Sequence, residues 1–162
     1  MALTPAQLPV LKAAIAAETD PTFVGYRTAN STGAMADWYN EATSPAFVLW
    51  RTNVTIRETG QAFNGTEWAG MTTANHTRLQ TVAQYLDQGY NASLADVRAM
   101  FNDIWSGAGG ATTRASLLAL WKRVSSKVEK IYATGTGSDA SPATPTFEGR
   151  ITNDDVLAAL RS

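Results

Sequence analysis

Thr113-Arg114-Ala115-Ser116-Leu117-Leu118-Ala119-Leu120-Trp121-Lys122-Arg123-Val124-Ser125-Ser126-Lys127-Val128-Glu129-Lys130-Ile131 decides the fold class. Leu117, Leu120, Trp121, Val124, Val128 and Ile131 recur at the three- and four-residue spacing that lines one face of a helix. The spacing predicts the longest helix of the chain, opened by Thr112 or Thr113 and ending near Ala133–Thr134. Two more helices precede it. Thr72 or Thr73 opens one with the stripe Leu79, Val82, Ala83 and Leu86, stopped by Gly89. Ser93 caps the next, with Asp96 at its third helical position and Val97, Met100, Phe101, Ile104 and Trp105 on its apolar face. Helices joined by short Gly-bearing loops such as Gly107-Ala108-Gly109-Gly110 pack as antiparallel neighbours. The expected fold is mainly α, an antiparallel helical bundle.

Toward the N-terminus, Thr4, Pro5 and Gln7 form a helix start, and Leu8, Leu11 and Ile15 form its stripe. Asp20-Pro21 ends that helix, residues 22–33 read as a loop, and Met35–Asn40 reads as a short helix burying Trp38 and Tyr39. Ser44-Pro45 restarts a helix through Phe47, Val48 and Trp50. Asn53–Thr59 fits a strand and a continued helix equally well.

Toward the C-terminus, Gly135-Thr136-Gly137-Ser138-Asp139-Ala140-Ser141-Pro142-Ala143-Thr144-Pro145 has the composition of a tether. It leads to a short extended piece with Phe147 and Ile151, then a mini-helix with Val156, Leu157 and Leu160. The expected organisation is a helical core over residues 1–134, a flexible linker over 135–146 and a docking arm over 147–162. A helix this short is marginal alone, so the arm must dock on its own domain or on a neighbouring subunit. Burial of Phe147, Ile151, Val156, Leu157 and Leu160 at about 1.5–3 kcal/mol each favours a clasp between subunits.

The chain has 162 residues, enough for one domain, with 44% hydrophobic and 17% charged residues. Few charges and many aromatics suit either an aromatic-rich core or subunit contacts. A net charge of −1 draws the chain neither to nucleic acid nor to an anionic membrane. Without cysteine there is no disulfide or thiolate metal site. No signal peptide or membrane span is expected, and the five Asn-x-Ser/Thr matches read as chance.

No residue set calls for catalysis. His76 is the only histidine and lacks partners for a metal site, so neither metal nor cofactor is expected. Glu41, Glu58, Glu67, Asp87, Asp96 and Asp103, the candidates for paired-carboxylate hydrolysis, fall on polar faces or at caps. Gly107–Gly110 lacks the Gly-Lys-Ser/Thr ending of a phosphate loop. The local charge imbalance is Arg114, Lys122, Arg123, Lys127 and Lys130 against Glu129. Three readings stand for it: a solvated face, a surface toward DNA, or pairing with acids of an adjacent subunit such as Asp154 and Asp155.

Asn40…Ser44-Pro45-Ala46-Phe47-Val48-Leu49-Trp50-Arg51-Thr52, Asp96–Ile104, Thr113–Arg123 and Phe147-Glu148-Gly149-Arg150-Ile151 together resemble small structural proteins of tailed bacteriophages. The type is the head–tail connector, also called adaptor or head-completion protein. The resemblance implies a helical homo-oligomer, a dodecameric ring in the virion neck between portal and tail proteins, with double-stranded DNA passing through its centre. It brings no catalytic residues and no cofactor. A capsid decoration or tail-terminator subunit, or a small monomeric binding protein with a self-docked tail, is the alternative.

Overall fold

The computed structural model describes residues 3–162. In chain order the first half forms α1 (Leu8–Ala17), α2 (Pro21–Thr28), α3 (Thr32–Asn40), β1 (Val48–Trp50), α4 (Ile56–Gln61), α5 (Gly65–Ala69) and α6 (Thr73–Tyr85). The second half forms α7 (Ala95–Ile104), α8 (Ala111–Leu120), β2 (Lys122–Val124), α9 (Lys127–Ile131), β3 (Ala133–Thr134), β4 (Thr144–Pro145) and α10 (Asn153–Arg161). The fold is mainly α with short strands, as the periodicity predicts. Antiparallel β3–β4 sets Ala133 opposite Pro145 and Thr134 opposite Thr144.

The chain divides into two compact units, each with its own core. One combines the chain up to Leu49 with Val124–Ser162; the other is Trp50–Arg123. The expected single core over 1–134 is therefore corrected: the strands β1 and β2 mark where the chain leaves and re-enters the first unit.

In the first unit, α1 buries Leu11 and Ile15, two members of the predicted stripe. Asp20 does more than end this helix. Its carboxylate accepts the Thr22 and Phe23 N–H groups (2.9 and 3.3 Å) and so starts α2 within the stretch expected to be a loop. Phe23 packs against Trp38 and Tyr39 of α3, with ring centroids 4.7 and 5.2 Å away.

The C-terminal arm belongs to this same core. Phe147, Ile151, Val156 and Ala159 are buried with Leu11, Ile15, Met35 and Tyr39. The Asn40 amide donates to the Ile151 carbonyl at 2.8 Å and accepts the Ile151 N–H at 2.9 Å, a strand-like pairing made by one side chain. The expected flexible linker is strapped down as well. The Gly137 carbonyl accepts the Val48 N–H (2.7 Å), and the Ala143 N–H donates to the Val48 carbonyl (2.9 Å). Gly137 has φ +66°, and a Cβ there would run into the Phe47 ring, so only glycine fits under that ring.

The long helix expected from Thr113 to Ile131 is broken at Trp121–Ser126. The Trp121 carbonyl accepts the Arg51 N–H (2.8 Å), and the Ser125 N–H donates to the Phe47 carbonyl (2.9 Å), which draws Lys122–Val124 into extended pairing. Ser126 then opens α9 with a capping box: its hydroxyl accepts the Glu129 N–H (3.3 Å) and Glu129 accepts the Ser126 N–H (2.9 Å). The helix expected through Phe47–Trp50 is likewise a strand, β1. Its pairing partners lie far along the chain, where local periodicity carries no information. Asn53–Thr59 resolves into an extended stretch ending at the Thr55 cap, and then α4 with the capping box Thr55/Glu58.

In the second unit, Phe101, Ile104, Leu117 and Trp121 are buried with Val54, Leu79 and Tyr90. A buried polar chain runs through this core. Trp121 Nε1 donates to Tyr90 Oη (2.9 Å), Tyr90 and Thr59 share a 2.7 Å bond, and the Thr59 hydroxyl donates to the Thr55 carbonyl (2.9 Å). Because Thr59 spends its hydrogen on Thr55, Tyr90 must donate to Thr59, and every member is satisfied.

Removal of residues 147–162 is expected to unfold the first unit, since Phe147, Ile151 and Val156 each contribute about 1.5–3 kcal/mol by burial. A truncated chain that kept the native near-ultraviolet dichroism of Phe23, Trp38 and Tyr39 would contradict this. Tyr90→Phe strands the Trp121 N–H and is expected to lower second-unit stability by about 1–3 kcal/mol in chemical denaturation.

Candidate functional site

The basic residues do not share a helix face. Arg114 lies on α8 in the second unit, where Nη1 donates to the Trp105 and Gly107 carbonyls and pins the turn after α7. Lys122 and Arg123 lie in β2. Lys127 and Lys130 lie on α9 in the first unit. Lys127 Nζ pairs with Glu41 (2.7 Å) and sits 3.6 Å above the Trp38 ring; Lys130 Nζ lies 5.6 Å from the Phe47 centroid.

The arm residues are occupied within their own chain, which corrects the expectation of a clasp on a neighbour. Asp155, expected to meet a basic partner, is instead buried. Its Oδ1 accepts the Leu3 N–H (2.8 Å), and its Oδ2 accepts the Thr152 N–H and hydroxyl (2.8 Å each). Burial raises its pKa, but these three donors outweigh it and the net shift is downward. Asp154 is exposed in the first turn of α10, Leu157 is half-buried and Leu160 lies at the surface. Phe147, Ile151 and Val156 are core residues. The physical reason is that one domain offers α1, α3 and α9 as a ready apolar surface, so the arm finds its groove without a second chain.

Lys127 and Lys130 line a cavity of about 570 Å³ in the first unit together with Glu18, Asp20, Trp38 and Tyr39. Tyr39 is 2% exposed, and its hydroxyl has no partner among the described residues. Burial, with the Glu18 charge adding to it, pushes the phenol well above its ordinary value, so the ring stays neutral. Glu18 accepts the Thr19 and Asp20 N–H groups (2.9 and 3.0 Å), and Asp20 caps α2. Most charges here are therefore engaged in local structure. The arrangement has an aromatic wall and charges of both signs, which suits binding more than bond cleavage.

Of the carboxylates considered for hydrolysis, Glu41 is in an ion pair with Lys127, and Glu58 and Glu67 accept backbone N–H groups at helix starts. Glu58 is held at about 2 by the Thr55 N–H, by Arg51 (2.7 Å) and by the Thr55 hydroxyl. Glu67 is pushed up by desolvation, but its bonds to Thr113 and Thr112 prevail and hold it at about 2. Its two oxygens accept the Thr112 and Thr113 N–H groups (2.8 Å each) at the start of α8. A general acid needs its proton retained at working pH, and both groups are shifted the opposite way. Sequence reasoning missed Glu18, Asp20 and Asn40 as organising groups. Ser126-x-x-Glu129 was the readable sign of the break before α9.

No protein-family model, curated protein or solved structure matches this chain. Among the described residues no helix is long and apolar enough to cross a membrane.

Because Glu58 and Glu67 have folded pKa values near 2 against an ordinary 4.5, their stabilisation is complete above 4.5 and is lost as the pH falls toward 2. Denaturation midpoints measured across that window are expected to fall for the wild-type chain. Glu67→Gln is expected to start lower at neutral pH and to show a shallower acid dependence.

Proposed function

We propose that this chain is a non-catalytic assembly subunit, a head–tail connector-type component of a tailed-phage virion, that meets other copies through the α6–α7 face. The observation that carries this reading is a groove of about 320 Å³ with Val82, Met100 and Ile104 in it and Arg78 and Asp103 beside them. Met100 is 38% exposed, and Tyr85 at the end of α6 is 83% exposed. Neither Arg78 nor Asp103 makes an ion pair among the described residues. An apolar groove carrying opposite, unspent charges is complementary to another copy of itself, Arg78 of one meeting Asp103 of the next. The low charged fraction of 17% and the resemblance of Asp96–Ile104 and Thr113–Arg123 to connector proteins support the same reading. The arm's Phe147, Ile151, Val156 and Ala159 are spent on the first-unit core, so the reading rests on the α6–α7 face and not on the arm.

A second reading, a self-contained binding protein, is favoured by the self-docked tail and by the cavity beside Trp38 and Tyr39. Light scattering over a concentration series separates the two. Association that Arg78→Glu abolishes and the double variant Arg78→Glu/Asp103→Arg restores is expected for the assembly subunit. A monomer at every concentration, alone and mixed with portal and neck proteins, favours the second reading.

A further inference from the structure

The second unit holds a further cavity of about 540 Å³, lined by Arg98, Asn102, Ser106, Arg114, Leu118 and Trp121 with the backbone of Gly107. Among the described residues no carboxylate lines it. Arg98 and Arg114 are both half-buried, and neither makes an ion pair among the described residues. Arg98 lies 4.0 Å over the Trp50 ring and donates from Nη1 to the Ala92 carbonyl. Arg114 donates from Nη1 to the Trp105 and Gly107 carbonyls. In both, the hydrogen bonds come from Nη1, and among the described residues Nη2 and Nε have none.

An arginine keeps its charge at any working pH, so partial burial without a counter-charge is a cost that a bound anion removes. Desolvation disfavours the Arg98 cation, and no carboxylate offsets it. Holding loop carbonyls accounts for Nη1 alone. Stacking on Trp50 and anchoring to carbonyls fix the guanidinium planes in advance, which suits an oxyanion that accepts from several N–H groups at once. Asn102 and Ser106 add an amide and a hydroxyl to the same lining.

We infer that the Arg98–Arg114 cavity is a binding site for a phosphate group, free or carried on a nucleic-acid backbone. The inference is independent of the assembly contact through α6–α7.

Asn102 supplies the test. It is exposed and stands four residues after Arg98 on α7, hence on the same helix face. Asn102→Asp puts a carboxylate where the ligand would sit and leaves the core untouched. Arginine Nε–H resonances are followed by NMR during titration with sodium phosphate, and with sodium chloride at matched ionic strength. Anisotropy of a labelled double-stranded oligonucleotide provides the other arm. Saturable phosphate shifts at Arg98 and Arg114, absent with chloride and weakened roughly tenfold or more in Asn102→Asp, support a free phosphate ligand. Oligonucleotide binding weakened by the same variant, with inorganic phosphate inert, supports a nucleic-acid backbone. Equal responses to chloride and phosphate with no oligonucleotide binding, no response in either arm, or responses that Asn102→Asp leaves unchanged overturn the assignment.

Discussion

The first unit depends on a paired amide contact between residues 111 apart in sequence: Asn40 at the end of α3 gives and takes one hydrogen bond with the Ile151 backbone. Those bonds satisfy an extended backbone that would otherwise enter a core with its polar groups unpaired. They bring Phe147, Ile151 and α10 onto α1 and α3, where Val156 and Ala159 complete the packing. Glu129 and Asp155 repeat the device on either side, accepting the Gly149 N–H (3.2 Å) and the Leu3 N–H (2.8 Å). In each case a side chain on a helix terminates a strand or loop that has no sheet neighbour.

This changes the functional meaning of the tail. Glycine, serine and proline give residues 135–146 the composition of a tether, yet Val48 bonds on both sides of it and the Phe47 ring covers Gly137. A segment held this way is part of the domain. The α6–α7 groove and the cavity beside Arg98 and Arg114 lie on surfaces that the cores leave over. The aromatic abundance is accounted for in the same way: Phe23, Tyr39, Phe101, Trp105, Trp121, Tyr132 and Phe147 are all buried. Tyr85 and Trp68 remain outside.

The second unit's core carries one connected polar chain, while Trp105 Nε1 is buried there with no partner among the described residues. Trp121, Tyr90, Thr59 and the Thr55 carbonyl form one directed chain of hydrogen bonds through the interior. Glu67 does comparable work at its surface, closing the start of α8 with a carboxylate from another helix. Glu58 and Glu67, which composition alone offers as catalytic candidates, are in place at helix starts, each accepting backbone N–H groups.

Helices were largely legible in the sequence because their determinants lie within a turn or two. The Leu11/Ile15 stripe, the Phe101/Ile104 face, the Thr72 cap and the α10 amphipathic pattern are readable in this way. The Asn40–Ile151 pair was not, nor was the cavity around Tyr39, because each is made by residues with no sequence relation to one another. The apolar stripe from Leu117 to Ile131 fitted one helix, but Phe47 and Arg51 offered backbone partners that pulled Lys122–Val124 into a strand. Sequence alone determined that the chain is mainly helical, where most helices start, and which faces are apolar. Tertiary structure decided where the long stripe breaks, that the arm closes its own core, and which charges are left unspent. The reason is range: periodicity and caps act between neighbours in sequence, whereas backbone pairing and burial depend on groups brought together only by the fold.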